Sequence, residues 1–107
     1  MTIRYKNVKA IVTGTTTAQS ILTPANATTA VIKSIIACEQ SGNADTITLT
    51  ITAGSDVFSL FKVKAVSANT SIELLTAPLV LAESEILKAA ATTANRLHVV
   101  VSFMEIS

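Results

Sequence analysis

Two residues carry the side chains most used in nucleophilic or metal chemistry: the single cysteine, Cys38, and the single histidine, His98. Paired, a thiol and an imidazole make a thiolate nucleophile. Nothing in the sequence supplies the orienting acid, Gly-rich oxyanion loop or nucleophile elbow that such a pair needs. Two ligands also fall short of a usual metal site. Glu83 and Glu85 have the side chains of a glycosidase pair, but the aromatic platforms that hold sugars are missing, with only Tyr5 and three phenylalanines in the chain. Asn43, Asp45 and Asp56 sit in turn clusters, where Asx side chains bond the local backbone, and offer too few oxygens for calcium. Neither GxGxxG nor GxxxxGK[ST] occurs. Lys62 and Lys64 beside Phe58 and Phe61 are the closest approach to a nucleic-acid surface, and as an exposed strand edge they would deter aggregation. The expectation is no catalytic, cofactor-binding or metal-binding residue.

The elements that must position these residues follow from composition and period. Isoleucine and valine number 21 against nine leucines, with 16 threonines, which favours pleated sheet over helix. Charged residues make up 14% of 107 positions, against about 25% in an average soluble domain. The formal net charge is +1 with no basic cluster, so neither nucleic acid nor a membrane surface is an expected partner. Mean hydropathy is +0.56, yet no run of about 18 apolar residues exists to span a bilayer. The polar residues between Thr2 and Lys9 leave no room for an apolar signal segment there. One cysteine excludes an internal disulfide framework.

Along the chain, Thr46 to Thr52 alternates strictly, with Ile47, Leu49 and Ile51 on one face and four threonines on the other. Ala30 to Glu39 reads as the strand before it, and the intervening Ser41 to Asp45 turn predicts an antiparallel hairpin between the two. After the Ala53 to Asp56 turn, Val57 to Lys64 changes phase, which predicts a bulge near Ser59 or Leu60. Ser71 to Leu75 and Leu79 to Leu81 are shorter strands. Glu85 to Ala91 holds helix-forming residues, but its spacing from neighbouring strand signals favours another strand. Arg96 to Ile106 carries apolar groups on both faces and is expected to lie centrally. The fold expected is all-β: a single antiparallel β-sandwich, jelly-roll or Ig-like, over residues 10–107. Residues 1–9 precede it as an extended N-terminal arm or edge strand.

The apolar surplus points to assembly. Val100, Met104 and Ile106 lie opposite a face already supplied by Leu97, Val99, Val101 and Phe103. A sandwich has one inner layer, so the second apolar face needs another cover, and obligate interfaces resemble a core cut in half. The candidate interface residues are Val100, Met104 and Ile106, the small uncharged Ala89, Ala90 and Ala91, and Ile3 and Tyr5 of the N-terminal segment, which could add a strand to a neighbour's open edge.

The order of the strand and turn motifs resembles the small virion structural proteins of tailed bacteriophages. The residues carrying the likeness are Thr23 to Ile35, the Asn43-Ala44-Asp45-Thr46 strand start, Ser67 to Leu75, Pro78 to Leu81, and Asn95 to Ile106. It covers most of the chain from about Val12 to Ile106 and holds no catalytic signature. The chain departs from that pattern at Ala82-Glu83-Ser84-Glu85, where the relatives carry a Gly-containing turn. The resemblance implies a non-enzymatic capsid decoration or cement protein, made in the host cytoplasm and located in the virion. It implies self-association as a trimer or higher homo-oligomer and contact with partners such as the major capsid protein. A tail, baseplate or head–tail accessory protein is the alternative. A carbohydrate-binding module is more remote, because tryptophan is absent and tyrosine nearly so.

Overall fold

The computed structural model describes residues 1–107. Nine strands form the chain: β1 (Ile3–Ile11), β2 (Gln19–Leu22), β3 (Thr29–Glu39), β4 (Asp45–Ala53), β5 (Asp56–Val66), β6 (Ser71–Glu73), β7 (Leu79–Leu81), β8 (Glu85–Ala91) and β9 (Leu97–Ile106). No helix is long and apolar enough to cross a membrane. Glu85 to Ala91 is a strand, its alanines notwithstanding, because it pairs on both sides with β2 and β4.

All pairings are antiparallel, and they make two sheets. The first runs β1-β9-β3-β6, with β7 also on β3; the second runs β2-β8-β4-β5. β6 pairs with the Ile36–Cys38 end of β3 and β7 with its Ala30–Ile32 end, so the two act as halves of one interrupted edge strand. Counted that way, eight strands in two four-stranded sheets give the strand order of a jelly roll. Nineteen buried apolar residues form one core cluster between the sheets, from Val12 and Ile21 to Val101 and Phe103, so the chain is one β-sandwich.

The expected β3–β4 hairpin is corrected by this topology. β3 pairs with β9, β6 and β7, whereas β4 pairs with β5 and β8 in the other sheet. The Gln40–Ala44 turn carries the chain from one sheet to the other. Alternation along a strand specifies its buried face, and a sandwich offers that face to either sheet. The hairpin in this region is β4–β5, closed by Gly54-Ser55, with Gly54 at φ 64.

Residues 3–11 pair with β9 along their whole length without a register shift, and Thr2 and Ser107 extend the ladder with two bonds of 2.8 and 2.9 Å. The N-terminal segment is therefore an edge strand of its own sheet. β9 is central, as its two apolar faces require, between β1 and β3. In β5 the register shifts where Leu60 is passed and again before Lys64. At the second shift Val63 stands at φ 53 with its N–H donated to Thr48 Oγ1 at 3.0 Å. Left-handed backbone is rare for a β-branched residue, and here the bulge imposes it.

The two faces of β4 separate only in part. Ile47 and Leu49 are fully buried, Ile51 is half-buried, and Thr50 is buried like a core residue. Thr50 lies in the middle of the sheet, directly opposite Lys88 of β8 on one side and Ser59 of β5 on the other.

The turn that lacks glycine, Ala82 to Glu85, still needs a left-handed residue, and Ser84 supplies it at φ 71. Glu85 closes the turn by donating its N–H to the Ala82 carbonyl at 3.1 Å and accepting the Ala82 N–H at 2.7 Å.

Leu49→Ala is expected to cost about 2–5 kcal/mol in urea unfolding, because it removes a fully enclosed side chain. Ser84→Gly is expected to stabilise by about 0.5–1 kcal/mol, since it relieves the left-handed penalty without touching the turn's bonds. A thermal midpoint that falls in the glycine variant would contradict this account of the turn.

Candidate functional site

Register decides what shares a face. In an antiparallel ladder, directly opposed residues point to the same side. On the outward side of the first sheet, Ile3, Tyr5, Lys9 and Ile11 of β1 oppose Ile106, Met104, Val100 and His98 of β9. From β3, Thr29, Val31, Ile36 and Cys38 oppose the same four β9 residues. Val80 of β7 and Glu73 of β6 complete the rows next to Val31 and Ile36.

This face is open and apolar. Of the ten large hydrophobic residues exposed in the chain, six lie on it: Ile3, Tyr5, Ile11, Ile36, Val80 and Val100. Tyr5 is 79% exposed and Val80 58%. A polar belt of Asn7, Ser102 and Ser34 crosses the middle, with Lys33 added by the β3 bulge. The face thus holds two apolar patches on either side of that belt. A shallow hollow lined by Lys9, Ala10, Ile11, His98, Val99 and Val100 lies along its β1–β9 seam.

Five of the candidate interface residues, Val100, Met104, Ile106, Ile3 and Tyr5, come together here. The three alanines do not. Ala89 and Ala91 are buried in the core of the second sheet, opposite Leu49 and Ile47, and Ala90 is half-buried on that sheet's far side. Their small size fits the narrow space between layers rather than an interface, so Ala89 and Ala91 are corrected to core residues.

Cys38 and His98 are cross-strand neighbours on the open face, a juxtaposition that their sequence separation concealed. No hydrogen bond joins them and no group of three or more metal-ligating side chains includes them. Phe61 packs half-buried against the core while Phe58, Lys62 and Lys64 are exposed on β5, the outer strand of the second sheet.

Three carboxylates are held by nearby backbone and hydroxyl donors. Asp45 accepts the N–H of Thr46 at 2.8 Å and of Thr93 at 3.2 Å. Glu73 accepts the Ser34 hydroxyl and the N–H groups of Ile35, at 2.8 Å, and Leu75, at 3.3 Å. Glu39 is fully buried at the end of β3. Its oxygens accept the Ser41 hydroxyl at 2.6 Å and the N–H groups of Ser41, Gly42 and Asn69 at 2.9–3.2 Å. Burial alone would raise its pKa, but these four donors outweigh burial and lower it to about 2. Glu73 is likewise lowered, with burial opposed by Ser34 and the neighbouring backbone donors. Sequence reading missed Glu39, although it falls on the buried phase of Ile35 and Ala37 and precedes a Ser-Gly pair whose amides can satisfy it.

Compared with known protein families, with characterised proteins and with solved structures, the chain matches none.

Because the Glu39 pKa falls on folding from 4.5 to about 2, the unfolded chain binds the proton more tightly. The stability Glu39 contributes is therefore full above about pH 4.5 and lost as pH falls toward 2. Urea midpoints measured from pH 6 to pH 2 should drop steeply in the wild type and less steeply in Glu39→Gln, which should also be less stable at neutral pH. Parallel slopes in the two proteins would remove Glu39 as the source.

Proposed function

We propose that this chain is a non-enzymatic virion structural protein of the tailed-phage kind, a decoration or cement protein that self-associates and binds the particle shell. The observation that carries the reading is the open face of the first sheet, where six exposed large hydrophobics gather on one side of a folded sandwich. Soluble monomers rarely leave contiguous apolar patches beyond a few hundred Å² uncovered. The order of strand and turn motifs, similar to that of small phage virion proteins, supplies the setting. Jelly rolls also build viral capsid domains, which adds support by analogy of fold alone.

The mechanism needs no reactive group. A shell presents the same site many times, so a small domain that contacts both shell subunits and its own copies adds many weak contacts into one strong attachment. Anything that binds the assembled shell and not its separated subunits stabilises the shell by linkage. The two apolar patches suit this use, since they present contact area on rigid strands, and the polar belt between them fixes orientation through hydrogen bonds.

The test is a co-sedimentation of purified protein with particles lacking it. The wild type should bind, and Val100→Glu with Met104→Glu should reduce binding about a hundredfold or more, because both carboxylates would enter the contact and the one at position 104, between Tyr5 and Val31, has no cation directly opposite. Circular dichroism should show the variant folded, as both positions lie outside the core cluster. Undiminished binding by the folded double variant would remove the open face from the proposal. Copy number per particle separates the sites of attachment: hundreds for a capsid lattice, a dozen or fewer for a tail or neck ring.

A further inference from the structure

The sandwich has four sheet edges, and three are blunted. β2 is four residues long with a register shift, the β6/β7 edge is broken into two three-residue pieces, and β5 carries two register shifts with Lys62 and Lys64. Short strands and bulges are devices by which sheets avoid pairing with other chains, whereas edge lysines stand on β1 (Lys6, Lys9) as well as on β5 and do not set the two apart. β1 is neither short nor interrupted. It runs nine residues, without proline or bulge, in unbroken register.

The hydrogen-bond parity of β1 is also determined. Thr2 and Ser107 exchange both backbone bonds, and Val12 donates to Leu97 in the same register. Even-numbered residues of β1 therefore bond to β9, and Ile3, Tyr5, Asn7, Lys9 and Ile11 direct their N–H and C=O groups to the free edge. Only the Ile11 carbonyl among these has a partner in the chain, the Gln19 side-chain amide at 3.1 Å.

We propose that β1 pairs antiparallel with β1 of a second copy about a two-fold axis at Asn7, merging two first sheets into one. Asn7 is the midpoint of the strand and belongs to the outward-bonding set, so the pairing is symmetric in both register and parity. It places Lys9 opposite Tyr5 of the second copy, Ile3 opposite Ile11, Lys6 opposite Val8 and Arg4 opposite Ala10. No like charges stand directly opposite each other, although Arg4, Lys6 and Lys9 give β1 basic residues and no acidic one. The Lys9 ammonium lies beside an aromatic ring. About six backbone bonds form at the centre, from Tyr5, Asn7 and Lys9 of each copy. The pairing also joins the two open apolar faces into one continuous surface on the same side of the merged sheet. It deepens the assembly reading above and rests on it for biological purpose, while the contact itself is tested independently of any particle.

In a Cys38→Ser background, Asn7→Cys should form a disulfide-linked dimer under mild oxidation, since a hydrogen-bonded pair at the axis has its Cα atoms about 5.5 Å apart, within disulfide reach. Tyr5→Cys and Lys9→Cys should each stay unlinked alone and cross-link with one another when mixed. Asn7→Pro removes an outward N–H and no bond to β9, so it should leave the fold intact and weaken dimerisation at least about tenfold in analytical ultracentrifugation. Indifferent cross-linking among the three cysteines, or an undiminished dimer in Asn7→Pro, overturns the pairing. A wild-type chain that sediments as a monomer at high concentration yet binds particles overturns it too, and leaves the assembly reading standing.

Discussion

The sandwich is held in register at one end by a buried carboxylate. Four connections cross between the sheets there: residues 12–18, 40–44, 67–70 and 92–96. Glu39 ends β3 and accepts from both the outgoing turn, through Ser41 and Gly42, and the returning one, through Asn69. Its own N–H donates to Thr70 at 2.9 Å. Asp45, at the start of β4, reaches the fourth crossing through Thr93, and Asn95 donates to Val12 in the first. An ionised group inside a protein is tolerated only when its lone pairs are satisfied. Here that condition fixes three backbone amides and a hydroxyl in place, and so fixes where each crossing lands. With few glycines available, hydrogen bonds to side chains shape these loops instead. Gln19 shows it, accepting from Thr13 at 2.6 Å and from Gly14 at 3.1 Å. Gly14 is the exception that must be glycine, since a Cβ there would stand 2.3 Å from the Thr17 carbonyl oxygen.

What the sequence makes legible is the set of strands and their faces. Strict alternation identified β4 and its buried Ile47 and Leu49, apolar groups on both phases marked β9 as central, and the phase change in Val57 to Lys64 marked a bulge. Partnership was not legible. The pattern of β3 and β4 is that of adjacent strands in one hairpin, yet the chain crosses between them, because the Glu39 network favours a sheet-to-sheet turn over a reversal. Ala89 to Ala91 show the same limit. Small side chains suit an interface or a thin core equally well, and only the pairing of β8 between β2 and β4 decides for the core. Cys38 and His98 are brought together by the β3–β9 ladder, a contact between residues 60 positions apart that no local pattern announces.

The open apolar face was legible for a different reason. Exposure of apolar groups violates the ordinary partition of residues between core and surface, and such a violation leaves a local trace: a strand with hydrophobic residues on both phases. β9 has that trace, and its centrality in the first sheet follows from it. The structure adds the neighbours, extending a stripe on one strand to a face of four. It also distinguishes that face from the outward side of the second sheet, where Thr46, Thr48, Thr50 and Thr52 of β4 stand among Ser59, Lys88 and the exposed Val57.

The same asymmetry appears at the edges, and the two bear on each other. This chain keeps the short strands and bulges for β2, β5, β6 and β7 and omits them from β1, the strand that borders the apolar face. An open edge and an open face on one sheet are the two surfaces that an assembling domain needs. In the proposed assembly, backbone bonding along the edge would set direction and register, and apolar contact across the face would supply area. Each is weak alone: the edge is nine residues long, and the face is divided by Asn7, Ser102, Ser34 and Lys33. Weak, directional contacts let a small domain assemble without trapping misplaced copies, and repetition over a symmetric surface then supplies the strength.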